Sequence, residues 1–148
     1  MKLFTLDEAQ ALVPVLESLL KRAIEAKQAA EQISDELQRL TQRIFVAGGM
    51  HIDIGKVGRQ RAELDAHIQR AKDAVEEIHA IGVQVKDLDI GLLDFPCKVD
   101  DQVVLLCWKM GEPKITHWHT LESGFQGRQP LDERFEGRSR KSKPDKPN

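Results

Sequence analysis

One long apolar seam dominates the amino-terminal part of the chain. From Ala9 to Ile44, apolar residues recur at alternating steps of three and four, and none of the eleven seam positions is polar. A repeat of 3.5 residues keeps one stripe of a helix facing a partner helix. The seam therefore predicts a coiled-coil-like helix that ends near Val46, with these apolar positions: Ala9, Leu12, Leu16, Leu19, Ala23, Ala26, Ala30, Ile33, Leu37, Leu40 and Ile44.

The ends of two helices can be predicted from local signals. Thr5 and Glu8 have the spacing of a capping box, in which each side chain bonds the other residue's amide. The break at Gly48 and Gly49 is followed by a second helix from about Lys56 to Ile81. Gly82 then predicts a left-handed cap. The predicted seam of this second helix is Val57, Arg61, Leu64, Ile68, Ala71, Val75 and Ile78.

The two predicted helices form an antiparallel hairpin with unequal arms. At 1.5 Å per residue, the first arm spans about 60 Å and the second about 39 Å. The first helix before Lys21 is rich in leucine and valine, so it needs cover from another element, and the segment that begins at Val83 is the nearest. Apolar surface left on the hairpin favours pairing of two hairpins, and we expect a homodimer.

After Gly82 the sequence changes to short extended pieces separated by turn residues. This pattern predicts a mainly antiparallel sheet of three or four strands, and an α+β fold. A chain of 148 residues with 41% apolar content suits one domain. We expect a single domain over 1–135, with the hairpin at about 5–81, the β unit at about 83–119, an irregular segment at 120–135 and a disordered basic tail at 136–148.

Charge and apolar patterning restrict the partners. Residues 1–133 hold 16 basic and 22 acidic residues, a net charge of −6, whereas the end of the chain is basic. An acidic body argues against a nucleic-acid surface, although the tail could contact phosphates or simply aid solubility. No apolar run is long enough for a membrane span, so we expect a cytoplasmic protein with no membrane partner. Cys97 and Cys107 are expected to be free thiols.

Residues that could carry chemistry are concentrated between Asp87 and Arg128, and common catalytic motifs are absent from the sequence. His117 and His119 alternate on a strand, which would place both rings on one face about 6 to 7 Å apart. With an oxygen from Glu122, Asp94 or Glu112, they could bind zinc, iron or manganese. The alternative is that both histidines simply face solvent.

Structural roles compete with functional ones at the other candidates. Asp94 lies in an apolar stretch, so its carboxylate needs Arg128, Lys109 or a bound cation as a partner. Glu112 precedes a proline and is equally typical of a turn. Trp108 and Trp118 could line a ligand pocket, but large aromatic residues more often seal a core.

Four sequence blocks carry a family resemblance: FTLDEAQALVP, KDLDIGLLDFP, LLCWKMGEP and HWHTLESGFQGRQPL. Together they resemble the bacterial and archaeal family catalogued as domain of unknown function 2203, over nearly the whole chain up to Leu131. The resemblance implies a soluble prokaryotic cytoplasmic protein and brings no activity. In that family the position before the W-H pair is commonly aromatic, so His117 departs from the pattern. The signature directs attention to Asp94, Trp108, Glu112, Trp118, His119 and Arg128.

The leading hypothesis is a polar pocket in the β unit, against the amino-terminal helix. Asp94, Glu112 and His119 would bind a divalent metal, and metal-assisted hydrolysis would be the first reaction class to test. The competing hypothesis is a non-enzymatic coiled-coil oligomerisation or adaptor module. Whether the chain is an enzyme stays open. The residues expected around a small anionic ligand are Arg128, Trp108 and Trp118.

Overall fold

The computed structural model describes residues 1–46 and 53–136, and shows two long helices followed by an antiparallel sheet. The predicted α+β class is confirmed. The sheet has five strands in the order β1-β2-β3-β4-β5, more than the three or four predicted, because the two-residue β5 lies in the segment expected to be irregular. The elements are α1 (Leu6–Val46), α2 (Ile54–Ile81), β1 (Gln84–Asp87), β2 (Leu92–Val99), β3 (Gln102–Lys109), β4 (His117–Thr120), a 3₁₀ turn (Phe125–Gly127) and β5 (Gln129–Pro130).

Local sequence signals place the helix ends correctly. The Thr5 amide donates to the Glu8 carboxylate at 3.0 Å, and the Glu8 amide donates to the Thr5 hydroxyl at 3.1 Å, as a capping box requires. At the end of α2, Gly82 adopts φ 109°, and the amide of Val83 donates to the Ile78 carbonyl. Both predicted caps are confirmed, and they fix where the hairpin begins and ends.

The more buried face of α2 matches the predicted seam at five of its seven positions and differs at Arg61 and Ile68. Ala74 is 4% exposed, whereas Ile68 is 39% exposed and Arg61 is also exposed. Alanines at 71 and 74 permit close approach to the alanine-rich face of α1, and this packing places Gln60 and His67, rather than Arg61 and Ile68, on the more buried side. The more buried positions of α2 are Val57, Gln60, Leu64, His67, Ala71, Ala74, Val75, Ile78 and Ile81.

The overhanging start of α1 packs against the sheet, as its surplus apolar residues require. Leu16 and Leu20 are fully buried in the same core cluster as Phe95, Leu106 and Trp108. At about 25 cal/mol per Å² of apolar surface, each fully buried leucine contributes roughly 2 kcal/mol. The core therefore lies between the amino-terminal half of α1 and one face of the sheet.

A tight turn sets the register of β2 and β3. Asp100 and Asp101 have φ values of 52° and 62°, which matches the type I′ turn that joins two antiparallel strands. The resulting register places Asp94 opposite Cys107. Because side chains alternate between faces, Asp94 and Cys107 lie on the face away from α1, while Phe95 lies on the core face.

Two sequence predictions fall outside the described residues. The glycine break at Gly48 and Gly49 is one, and the predicted disordered tail at 136–148 is the other, apart from Glu136. Within the described ranges, no helix has an apolar stretch long enough to cross a membrane.

Candidate metal centre

Three residues of different chemistry meet on the sheet face away from α1. Asp94 from β2, Cys107 from β3 and His119 from β4 are at most 1% exposed. Each offers a ligand atom, and these atoms all lie within 4.8 Å of one another. Leu105 and Cys107 are buried but do not belong to the core cluster around α1, which confirms that they lie on the second face. The cluster therefore lies on the side of the sheet opposite α1, whereas the polar pocket was expected against that helix, because strand alternation gives the helix side to apolar residues.

The orientation of the His119 ring is fixed by the backbone. Its Nδ1 atom lies 2.8 Å from the Thr120 carbonyl oxygen, and a carbonyl can only accept, so Nδ1 carries a proton. In a neutral ring, Nε2 then has the lone pair. Nε2 lies 3.1 Å from Oδ1 of Asp94. Two lone pairs at that distance repel, so a proton or a metal ion must lie between them. Nδ1–H bonded to a carbonyl is also how metal-binding histidines are commonly oriented.

Asp94 is the fully buried carboxylate among the described residues. Burial raises its pKa, and the charge and hydrogen bond of His119, the Lys86 charge and the Cys107 thiol act in the opposite direction. Its Oδ2 atom is buried and receives no hydrogen bond from any residue that the structure describes. An unpartnered buried carboxylate oxygen is costly. Among the described residues, the partner of Asp94 is thus His119 rather than Arg128 or Lys109. The third partner that the sequence suggested was a bound cation.

Cys107 lies near the Asp94–His119 pair and also interacts with the cationic side chain of Arg128. Burial raises the pKa of its thiol to about 12, and the charge and hydrogen bond of Arg128 offset part of that effect. The carboxylates of Asp94 and Glu112 also favour the neutral thiol. The metal-free chain therefore holds Cys107 as a thiol at neutral pH. Cys97 and Cys107 form no disulfide with each other, as predicted.

Glu112 and Arg128 form a second layer beside this cluster. The Glu112 carboxylate accepts from the Lys109 amide at 2.9 Å and lies 3.1 Å from Nη2 of Arg128. The Arg128 guanidinium also stacks on the Phe125 ring, 4.8 Å from its centroid. Glu112 is therefore paired with Arg128. The group that could hold a metal contains Cys107 instead of Glu112.

The two tryptophans lie on the opposite side of the sheet from the cluster. Trp108 is fully buried in the core, and its indole donates to the Glu112 carbonyl at 3.0 Å. Trp118 packs 5.5 Å from the Phe135 ring, and the Arg134 guanidinium lies 5.3 Å from the Trp118 ring. The structure therefore places both rings away from Arg128's side of the sheet.

His117 lies beside the cluster without joining it. It pairs with Cys107 across the strands, but its Nδ1 atom lies 2.8 Å from the Thr116 hydroxyl. Among the described residues, the grouping within 4.8 Å includes His119 and leaves His117 out. Histidine alternation correctly predicted that both histidines lie on one strand. The other two residues of the cluster, Asp94 and Cys107, come from β2 and β3.

A separate groove of about 460 Å³ lies between the two helices. It contains none of the candidate residues, and its charges have both signs. The lining residues are Arg22, Glu25, Ala26, His67, Arg70, Asp73, Ala74 and Glu77.

Comparison with known proteins supplies a family without an activity. A match to this chain was found neither among curated proteins nor among solved structures. One family model covers residues 2–131, which include both helices, all five strands and every residue of the cluster. The chain belongs to the family described as Uncharacterized conserved protein (DUF2203).

Proposed function

We propose that this protein binds one divalent metal ion through Asp94, Cys107 and His119. The observation that carries the proposal is the facing of Nε2 of His119 and Oδ1 of Asp94 at 3.1 Å while Nδ1 is already committed to a carbonyl. A metal ion would remove the repulsion between the two atoms and would also give the unpartnered Oδ2 of Asp94 a compensating charge.

The charges of the neighbourhood balance with a metal bound. A divalent cation with the Asp94 carboxylate and a Cys107 thiolate is neutral overall. Arg128 and Glu112 neutralise each other at 3.1 Å. Buried ionic groups are tolerated only when they are paired in this way. The donor set of one oxygen, one sulfur and one nitrogen favours zinc or iron over manganese, because thiolate is a soft ligand.

The geometry supports metal binding more directly than catalysis. Three protein ligands leave one tetrahedral position for water, and Arg128 is the neighbouring group suited to a small anion. All three ligand residues are nearly inaccessible, however, so a substrate would reach the metal only after other parts of the protein moved aside. Metal-assisted hydrolysis is the reaction class that such a centre would support once opened.

The test is the metal content of untagged protein expressed in zinc-supplemented medium. We expect about one equivalent of metal per chain, and its loss in Cys107→Ser and His119→Ala. Cobalt substitution should add a sulfur-to-metal charge-transfer band that Cys107→Ser removes. Absence of bound metal in the folded wild-type protein would refute the proposal.

Two control variants separate this site from alternatives. Cys97→Ala changes the other buried cysteine, which lies in the core on the opposite face, and should leave the metal content unchanged. Glu112→Gln tests the ligand that the sequence favoured and should also retain the metal. Loss of metal in Glu112→Gln with retention in Cys107→Ser would assign the metal to Asp94, Glu112 and His119, the set that the sequence suggested.

A second candidate function, an oligomerisation module, is favoured by apolar residues that the hairpin leaves partly uncovered. Ile68 on α2 is 39% exposed, and the distal seam of α1 is only half-buried. Self-association through these residues would cover them. The half-buried positions of α1 are Ile33, Leu37, Leu40 and Ile44.

A further inference from the structure

The far end of the helical hairpin exposes large apolar side chains. Phe45 and Val46 at the end of α1 are each 85% exposed, and Ile54 at the start of α2 is 81% exposed. Single exposed apolar residues are common on protein surfaces, but three at one end of a hairpin form a local feature. We call these three residues the hairpin tip.

Basic residues outnumber acidic ones in the two helix ends that carry the hairpin tip, although the body of the chain is acidic. The ranges 36–46 and 53–61 hold five basic residues and two acidic ones. Asp53, one of the two acids, is engaged as the cap of α2 through the Lys56 amide. Within the described parts of the chain, none of the five cations forms an ion pair. These exposed residues, the basic collar, are Arg39, Arg43, Lys56, Arg59 and Arg61.

The hairpin holds its tip well away from the rest of the fold. Leu20 is the last α1 residue in the core cluster. Phe45 lies 25 residues further along α1, which corresponds to about 38 Å at 1.5 Å per residue. The tip could therefore touch an extended surface while the sheet and the metal-binding residues stay clear of it.

We propose that the hairpin tip docks on an anionic phospholipid surface. The basic collar would lie at the lipid phosphates, and Phe45, Val46 and Ile54 would enter the boundary between headgroups and acyl chains. This proposal departs from the expectation of no membrane partner. That expectation rested on the lack of an apolar run long enough to span a membrane, and a peripheral contact needs no membrane span. The proposal is independent of the metal centre.

Apolar chemistry favours lipid over nucleic acid as the occupant. Both surfaces are anionic and would attract the basic collar. Phe45 could stack on a base, but Val46 and Ile54 are aliphatic and have no ring to stack. A bilayer boundary accommodates all three side chains, since it removes each of them from water.

Co-sedimentation with vesicles tests the proposal on the full chain. We expect binding to phosphatidylcholine vesicles that contain phosphatidylserine, no binding to phosphatidylcholine alone, and weakening by salt. Reversing two collar charges with Arg43→Glu and Lys56→Glu should lower the partition coefficient at least about tenfold, because each cation near an anionic surface contributes about fivefold. Phe45→Ser with Val46→Ser should reduce it by a similar factor.

Matched controls make the same change in net charge, or remove two exposed apolar side chains, away from the tip. Lys21→Glu with Lys72→Glu makes the same charge change at exposed sites away from the tip. Val15→Ser with Leu121→Ser removes side chains that are 53% and 58% exposed elsewhere. Both pairs should bind vesicles like the wild type. Failure to bind phosphatidylserine vesicles, binding that the tip variants leave intact, or tip-dependent binding to RNA or DNA without vesicle binding would each overturn the proposal.

Discussion

Nε2 of His119 lies 3.1 Å from Oδ1 of Asp94, and the His119 ring is held there because Nδ1 donates to the Thr120 carbonyl at 2.8 Å. The two residues are 25 positions apart and come from β2 and β4, with β3 and Cys107 between them. We therefore expect the proposed metal binding and the stability of the metal-free fold to depend on Asp94 in opposite ways.

Asp94→Asn should abolish metal binding without destabilising the metal-free fold. The side-chain amide that the substitution introduces can donate to the lone pair on Nε2 of His119, so the variant needs no shared proton and buries no charge. We expect its free energy of unfolding in chelator at pH 7 to equal that of wild type or to exceed it by about 1 to 2 kcal/mol. Urea denaturation and metal analysis measure the two effects.

The pH dependence of the same comparison has a defined sign. The folded-state pKa of Asp94 lies above its ordinary value of 3.8, so the folded chain retains a proton that the unfolded chain loses. The associated stability is complete below 3.8 and disappears as pH rises through the folded pKa. The free energy of unfolding of metal-free wild type should therefore increase relative to that of Asp94→Asn as pH falls. A constant difference between the two proteins would contradict this assignment.

Cys107 should make the metal-free protein sensitive to alkali. Burial raises its pKa from 9.0 to about 12. The stability linked to the folded thiol is complete below pH 9 and is lost as pH rises toward 12. By pH 10.5 the loss should amount to roughly 2 kcal/mol, from 1.36 kcal/mol per pH unit.

The measurement is the free energy of unfolding in chelator at about pH 8 and about pH 10.5, compared between variants. Cys107→Ala will be less stable overall because it leaves a cavity, but its decline with pH should be shallower than that of wild type. Cys97→Ala keeps Cys107 and should retain the steep decline. Equal slopes in wild type and Cys107→Ala would show that the thiol does not carry the effect.

Gly58 in α2 and Gly82, which caps the end of α2, should respond in opposite directions to substitution by alanine. Gly82 has φ 109°, and a Cβ there would lie 3.0 Å from the Lys2 Cβ and 3.3 Å from the Phe4 ring, so Gly82→Ala should lose about 1 to 3 kcal/mol. Gly58 has nothing within 4 Å of an added Cβ, so Gly58→Ala should gain up to about 1 kcal/mol from helix propensity. Thermal or urea unfolding would measure both, and a stabilising Gly82→Ala would contradict the cap.

Elements specified by local chemistry could be predicted from the sequence. Thr5, Glu8 and Gly82 act within one turn of their own helix, so their roles do not depend on tertiary packing. The seam of α2 was predicted less well. Whether Ile68 or His67 faces α1 depends on how closely the two helices approach, which the pattern of one helix does not determine.

Only part of the candidate site could be predicted from the sequence, again because the arrangement depends on how separate elements meet. Asp94 is a candidate because a carboxylate in an apolar stretch needs a partner. His119 is a candidate because it alternates with His117 on a predicted strand and belongs to the W-H pair of the family signature. Cys107 was passed over as a plain buried thiol, although the pair Asp100 and Asp101 held the missing signal. A two-residue turn at these positions sets the register, and that register places Cys107 opposite Asp94.

Self-association through the partly uncovered apolar residues of the hairpin predicts a concentration-dependent dimer. Ile68 is 39% exposed, and Ile68→Glu should shift the equilibrium toward monomer by about tenfold or more, because it places a charge in an apolar contact. Sedimentation velocity over a range of protein concentrations would measure the change.

The turn before β2 offers a matched control for this experiment. Ile90 is 42% exposed and lies outside the hairpin, so Ile90→Glu makes the same chemical change at similar exposure. It should leave the sedimentation coefficient unchanged. A wild type that is monomeric at all concentrations would contradict self-association. Equal effects of Ile68→Glu and Ile90→Glu would contradict a contact through Ile68.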